Sequence, residues 1–331
     1  MTPKVAWIPA ADINRAGSRL RAFLPCRYLK QAGYDCEIFK SKNSTQYDLV
    51  IFQKAYSPQH RSLAETLQCQ GVKIALDLCD NDLYELNNQT WKTRGENLKQ
   101  FLSLTDAVSV ATEALSQRIP HLQTTIIDDA FDAVQLNQFY HLFLVTQGTF
   151  KPLRSDCLKL IWFGNKGRRN PLSGLICLAG IFPILEKLNH LYALSLTIVS
   201  DSQTLAHQYT ESLNFPVHYY PWSRTTFPYV LRQHDICLIP NNINPYTVCK
   251  TNNRLLLSLR LGVPVIADEI PSYSEFKDFA LFSNWFDNLV TYAVNPELRK
   301  NHVIQGQEYI RSHYTRDRTV RQWIDFIHSI V

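Results

Sequence analysis

Four polar clusters stand at the ends of apolar runs in this 331-residue chain, and each carries residue types able to hold or transform a ligand. The first is Lys250-Thr251-Asn252-Asn253-Arg254, leading into a leucine-rich run that stops at Gly262-Val263-Pro264. A helix that begins there presents free backbone N–H groups and a positive dipole end to an anion. Lys250 would add a point charge and Arg254 a planar fork suited to diphosphate oxygens. The plainer alternative is a solvated helix start capped by Asn252 or Asn253. The second cluster is Gly164-Asn165-Lys166-Gly167-Arg168-Arg169, directly after the apolar run Leu158–Phe163. Its glycines admit close backbone approach and its cations favour an anion. It does not match GxGxxG, and a basic surface turn is the alternative.

The third cluster is Asp77, Asp80 and Asp82. Carboxylates this close can accept hydrogen bonds from acceptor hydroxyls, act as a base or bind a metal. The spacing lacks the glycine and distal glutamate of an EF-hand, so no metal is expected. Helix capping by Asp80 or Asp82 ahead of Leu83-Tyr84-Glu85 is the competing account. The fourth is the loop Asp12–Arg19, where Gly17 would permit close approach and Ser18 either faces a ligand or caps a helix. Arg19, Arg21, Arg27 and Lys30 make the following helix basic, which suits either contact with a membrane surface or a solvated polar face.

These clusters need rigid elements behind them. Val5–Ile8, Cys36–Phe39, Leu49–Phe52, Lys73–Asp77, Ala107–Val110 and Thr124–Ile127 read as strands, with helices over Arg19–Gln31 and Arg61–Gln70. After 133–155, whose Gln147-Gly148-Thr149 and Lys151-Pro152 suit a linker, the rhythm restarts. Leu158–Phe163, Leu194–Val199, Val217–Tyr220, Asp235–Ile239 and Val263–Ala267 read as strands. Leu175–Leu188 and Asn253–Leu261 read as helices. The β-α-β alternation predicts parallel sheets covered by helices on both faces. Residues 1–132 form one Rossmann-like domain and 156–305 a second. In the helical tail, 306–331, Trp323, Phe326, Ile327 and Ile330 fall at helical spacing.

Composition excludes several classes. Apolar residues make up 45% and charged residues 19%, ordinary values for a globular protein. The net charge of +5 is spread out, without the basic block that nucleic acid would require. The eight cysteines form no CxxC pair and sit mostly in apolar runs, which suits buried thiols in a reducing compartment. The histidines show no metal-ligand spacing. The N-terminus reads as a strand rather than a signal peptide, and no apolar stretch reaches membrane-spanning length. A cytoplasmic location follows, with contact at the inner face of the membrane as a variant.

The second half carries Asp235-Ile236-Cys237-Leu238-Ile239-Pro240, then Lys250-Thr251-Asn252-Asn253-Arg254, then Gly262-Val263-Pro264-Val265-Ile266-Ala267-Asp268. This series resembles the donor half of GT-B glycosyltransferases, especially retaining family-4-like enzymes with the pattern K-x-x-N-[KR]…G-x-P-V-[IV]. Tyr47–Phe52, Leu76–Asp82 and Thr105–Leu115 are similar to segments of the same family's acceptor half. The resemblance implies a GT-B fold: two Rossmann-like domains facing a cleft where both substrates meet, with the C-terminal helix packing back on the N-terminal domain. It implies transfer of a sugar from a nucleotide-diphosphate sugar to a glycan, lipid or small-molecule acceptor, with retention and without a tightly bound cofactor. Gly164, Lys166, Asn253, Arg254 and Lys250 would hold the donor, with Trp222 stacking on its base. Gly17, Ser18, Arg19, Asp77, Asp80 and Asp82 would face the acceptor. Lys250, Arg254 and Asp80 would serve the reacting centre.

One position departs from the pattern. Family members place a glutamate seven residues after the lysine to hold the donor ribose, and this chain has Leu257 there. An aliphatic side chain cannot accept those hydrogen bonds. The departure raises the alternative of a degenerate GT-B protein kept as a binding or assembly subunit. A sugar-nucleotide epimerase or another two-lobed Rossmann protein is a further alternative.

Overall fold

The computed structural model describes residues 2–41, 47–84, 88–119, 123–131, 156–167 and 173–331. The expected linker 133–155 lies outside the described residues, as do Arg168 and Arg169. The chain divides into two compact units. Unit 1 comprises Met1–Asp132, Val248–Thr251 and His313–Val331, and unit 2 comprises Ala133–Thr247 and Asn252–Ser312.

Unit 1 is built on β1 (Val5–Pro9), β2 (Cys36–Ile38), β3 (Leu49–Gln53), β4 (Lys73–Leu78), β5 (Ala107–Val110) and β6 (Thr124–Ile126). They form one parallel sheet in the order β2-β1-β3-β4-β5-β6. Successive residues of a strand point to opposite faces. Val5, Trp7, Leu49 and Ile51 therefore enter one core cluster, and Ala6, Ile8, Val50 and Phe52 the other. The C-terminal helix Arg316–His328, capped by Thr315, lays Trp323, Phe326 and Ile327 onto the first of these faces. The rings of Trp7 and Trp323 meet edge to face at 5.6 Å. This tail belongs to unit 1, in keeping with the expected packing on the N-terminal domain. The helical tail is nonetheless interrupted. Pro296–His313 ends before Thr315 starts a new helix.

The first helix of unit 1 also differs from the plain Arg19–Gln31 expected. It runs as Ala16–Ser18, a π-helical turn over Arg19–Phe23, and Leu24–Gln31. Pro25 has no N–H, and in a regular helix its ring would clash with the carbonyl of Arg21. A widened turn just ahead of Pro25 accommodates it.

Unit 2 carries β7 (Leu158–Phe163), β8 (Leu194–Ser200), β9 (Val217–Pro221), β10 (Ile236–Ile239), β11 (Val265–Ala267) and β12 (Leu281–Phe282). They form a second parallel sheet, β12-β11-β10-β7-β8-β9. Counted from β7 this is the doubly wound order 6-5-4-1-2-3, which reverses between β7 and β10. The corresponding reversal in unit 1 falls between β1 and β3. The helix expected over 175–188 is two, Leu175–Ala179 and Phe182–Asn189, parted at Gly180 and restarted through Pro183. Helix Asn253–Arg260 buries Leu255, Leu256 and Leu259 and ends in a Schellman turn. Gly262, at φ +87°, donates to the Leu259 carbonyl, and Val263 to that of Ser258. Pro264 then precedes β11, where its missing N–H costs no ladder bond. Among the described residues no helix is long and apolar enough to cross a membrane.

Candidate functional site

In a parallel sheet every carboxyl end lies on one rim, and ligands bind there near the point where strand order reverses. In unit 2 that rim collects Gly164–Gly167 after β7, Ser200–Asp201 after β8, Trp222 after β9, Asn241 after β10 and Asp268 after β11. The start of helix Asn253–Arg260 joins them, bringing Asn253 and Arg254. Arg254 is half-buried at the reversal itself. Its guanidinium reaches the Phe163 carbonyl at 3.5 Å and Asn241 Oδ1 at 3.4 Å, both long and both neutral. No carboxylate pairs with it among the described residues. Gly164 lies beside it: a Cβ there would stand 3.7 Å from Arg254 Nη1 and only 3.0 Å from the buried ring of Trp162. Lys166 is exposed, and its backbone N–H donates to Asp201 at 2.6 Å. Trp222 is partly exposed, and its backbone N–H donates to the Ser200 carbonyl at 3.0 Å. Asn252 occupies the helix N-cap, but its side chain makes no capping bond and reaches Glu275 at 3.2 Å instead. Leu257 sits partly buried one turn after Asn253.

Lys250 falls elsewhere. It belongs to unit 1, where the stretch Val248–Thr251 is anchored residue by residue. Val248 and Cys249 pack in the core beside Phe52 and Leu115. The Cys249 carbonyl accepts from the Thr112 hydroxyl at 3.1 Å, and the Thr251 hydroxyl donates to Asp129 at 2.7 Å. Lys250 Nζ itself donates to Asp80. Asp80 is thus held between Lys250 and Lys54, with its side chain 18% exposed. Burial alone would push its carboxyl up, but the two lysine charges outweigh that and hold it well below the usual carboxylate range. It stays ionised at any physiological pH, so it can accept hydrogen bonds but is a feeble base.

The other two expected acceptor-side aspartates are not at the surface. Asp77 is fully buried in β4, where Arg21 grips it through Nε at 3.2 Å and through Nη2, and the Ser109 hydroxyl donates to it at 2.8 Å. Asp82 is 1% exposed and takes Tyr56 Oη at 2.5 Å, Arg94 Nη2 at 2.7 Å and Lys54 Nζ at 3.1 Å on one oxygen. Neither caps a helix, since the next one starts at Gln89 under an Asn88 cap.

The loop after β1 is built by side chains of its own helix. Ser18 is no cap: it lies inside the helix, donates to Gln53 Oε1 at 3.0 Å and accepts from the Ala11 N–H at 3.1 Å. Arg19 is buried and ties down the carbonyls of Ile13 and Asn14 at 3.1 and 3.2 Å. A Cβ on Gly17 would meet Cys79 Sγ at 3.4 Å, an ordinary contact. With Arg19 and Arg21 turned inward, two of the four cations read as a basic helix face, whether solvated or against a membrane, are removed from its surface.

A scan against protein-family models gives no match, and no curated protein matches. Solved structures do. HepE of Anabaena, solved in complex with UDP and glucose, is 11% identical with a TM-score of 0.72, over 99% of this chain and 100% of that one. A glycosyltransferase from Rickettsia africae ESF-5 is 12% identical with a TM-score of 0.70, over 99% and 98%. TarM of S. aureus, solved with Fondaparinux, alpha-GlcNAc-glycerol and UDP, is 13% identical with a TM-score of 0.62, over 91% of this chain and 57% of that one. The chain has the GT-B fold.

Within this GT-B chain, reasoning from residues missed three positions. Lys54 follows β3 at the unit 1 reversal in a left-handed conformation, φ +52°, which costs a non-glycine residue about 1 kcal/mol. Gln53 organises the loop after β1. Asn241 touches Arg254. Each lies at or within two residues of the carboxyl end of a strand, and that position is the signal that could have found them. Among the described residues no cluster of His, Cys, Asp or Glu is arranged to hold a metal.

Proposed function

We propose that this GT-B chain is a glycosyltransferase that moves a sugar from a nucleotide-diphosphate donor to a hydroxyl acceptor, with retention. Unit 2 takes the donor, and unit 1 supplies the acceptor-side groups. The observation that carries the reading is Arg254, a half-buried guanidinium without a carboxylate partner among the described residues, at the strand-order reversal of a doubly wound sheet. A cation in that position is poised for an anion from solution. Support also comes from HepE and TarM, both solved with UDP.

The diphosphate is held by Arg254, the exposed Lys166 and the first N–H groups of helix Asn253–Arg260, with Gly164 leaving room beside Arg254, while Trp222 faces the base. The C1–oxygen bond to the β-phosphate breaks and the acceptor oxygen bonds to C1 on the same face. The acceptor proton passes to the released diphosphate. Positive charge stabilises the departing oxygen, so no protein nucleophile is required. The acceptor, a glycan, lipid or small molecule, is recognised by the loop that leads into Gly17 and by ionised Asp80. Lys250 steadies Asp80. Leu257 leaves the ribose without a carboxylate from this helix.

A thermal-shift panel of UDP, GDP, ADP, CDP and their sugars tests this, because binding to the native state raises the melting point. One nucleotide should stabilise the wild type. Arg254→Ala should lose that shift while keeping the unliganded melting point, since Arg254 makes only two long bonds. Lys250→Ala should weaken it less. An unchanged shift in Arg254→Ala sinks the assignment. Silence of the wild type to every nucleotide would favour the degenerate subunit.

A further inference from the structure

Asp268 ends the series that begins at Lys250, yet nothing above gives it a task. It follows β11 and is half-buried, with both carboxylate oxygens engaged. Oδ1 accepts the indole N–H of Trp285 at 2.8 Å, and Oδ2 accepts the backbone N–H of Asn241 at 2.8 Å. Trp285 opens helix Trp285–Val294 and is packed into the unit 2 core, so the carboxylate is held from a rigid side. On the other side it fixes the first polar residue after β10. Asn241 is 8% exposed and spends its amide N–H₂ on the Ile239 carbonyl at 3.3 Å. That leaves its amide oxygen directed at Arg254 Nη2, 3.4 Å away.

We propose that Asp268 is a positioning residue for the anion site. It acts through Asn241 to set the plane of the Arg254 guanidinium. The inference rests on the reading of Arg254 as the group that holds the donor diphosphate. A guanidinium offers a fork only in its own plane, so two oxygens are gripped together only when that plane is set beforehand. Arg254 has no carboxylate to orient it among the described residues. The Trp285–Asp268–Asn241 chain supplies the orientation while leaving the cation's charge uncompensated in its immediate contacts. Each Asp268 oxygen already accepts one protein donor, and its negative charge would repel an anionic ligand, so Asp268 acts by orientation and not by contact.

Asparagine at 268 would turn an amide N–H₂ toward one of two N–H donors, breaking one bond without changing the volume. The test is isothermal titration with UDP and with inorganic pyrophosphate, which lacks a base and sugar. It uses wild type, Asp268→Asn, Trp285→Phe, Arg254→Lys and the double variant D268N/R254K, each checked by circular dichroism at the titration temperature. Asp268→Asn should raise the Kd for both probes about 10-fold or more, the scale of a lost hydrogen bond to a charged group. Trp285→Phe should raise it less and in the same direction. In the Arg254→Lys background, where no fork remains to be oriented, Asp268→Asn should add under about 2-fold. A merely structural Asp268 would show the same factor in both backgrounds, and that result overturns the inference. Unchanged affinity in both Asp268→Asn and Trp285→Phe, with binding lost in Arg254→Ala, overturns it and leaves the donor site standing. Should Asp268→Asn not fold, Trp285→Phe decides alone. A wild type that binds neither probe overturns the donor site and the inference together.

Discussion

Replacing Asp77 by alanine separates a structural aspartate from one that serves an acceptor. Arg21 and Asp77 are both fully buried, and the guanidinium is bidentate on the carboxylate. Burial alone would lower the Arg21 pKa, but Asp77 outweighs it and holds the group above its usual value. A guanidinium is basic enough to stay protonated in a protein, so Arg21 keeps its charge when Asp77 is removed. Breaking a buried pair in this way costs about 3–5 kcal/mol, because the remaining ion loses its partner without regaining water. Asp129, 3.6 Å from Arg21 Nη1, the Ile127 carbonyl and the ring of Trp323 at 5.6 Å retain part of the stabilisation. The lower end of the range is therefore expected, about 3 kcal/mol, equivalent to a fall in Tm of roughly 6–12 °C for a unit of this size. Urea unfolding followed by tryptophan fluorescence is the assay, since Trp7 and Trp323 lie in the core beneath the pair. Exchanging both partners for apolar residues, as in R21M/D77L, should recover part of the loss. A fully folded Asp77→Ala protein within about 0.5 kcal/mol of wild type would refute the argument, since that is the range of an ordinary surface change.

Gly164→Ala would drive a methyl group to 3.0 Å from the ring of Trp162, which is 1% exposed and has no room to swing away. Overpacking of this kind costs about 1–3 kcal/mol, and the shifted strand end should weaken UDP binding as well; an unchanged urea midpoint with unchanged affinity would contradict both. His234 is buried between Val230 and Thr197, at 2.8 and 2.7 Å, and burial pushes its pKa down to about 4. The unfolded chain binds that proton near pH 6.5, so the stabilisation is complete above 6.5 and is lost as pH falls toward 4, by at most roughly 3 kcal/mol. Urea midpoints at pH 5 and pH 7 should differ less in His234→Gln than in wild type; equal slopes in the two proteins would exclude His234 as the titrating group.

Local sequence was enough for much of the scaffold. Continuous apolar runs such as Leu49–Phe52 suit strands covered on both faces, and their alternation with amphipathic stretches already implied parallel sheets. The helix beginning at Asn253, its stop at Gly262 and the placement of Pro264 were readable because each rests on one residue's backbone preference. The stripe Trp323, Phe326 and Ile327 announced a helix that buries one face.

The site depended on contacts between residues far apart in the chain. Asp77 and Asp80 are three positions apart and look alike in the sequence. One points from β4 into Arg21, and the other lies past the strand end beside Lys54 and Lys250. A charged residue inside the run Lys73–Leu78 was the available warning that Asp77 would need a buried partner. No periodicity could name Arg21, which lies 56 positions away, or pair Lys250 with an aspartate 170 positions before it. Arg19 and Arg21 likewise looked like a basic surface until the fold turned them inward. The amino-acid sequence thus determined most of the strands and helices, because those choices are made within a few residues, but not the breaks at Gly180 and ahead of Thr315. Only the tertiary structure decided which charges are cancelled and which, like that of Arg254, are left for a ligand, because that depends on the neighbours a side chain meets after strands from the whole length of the chain have been brought side by side.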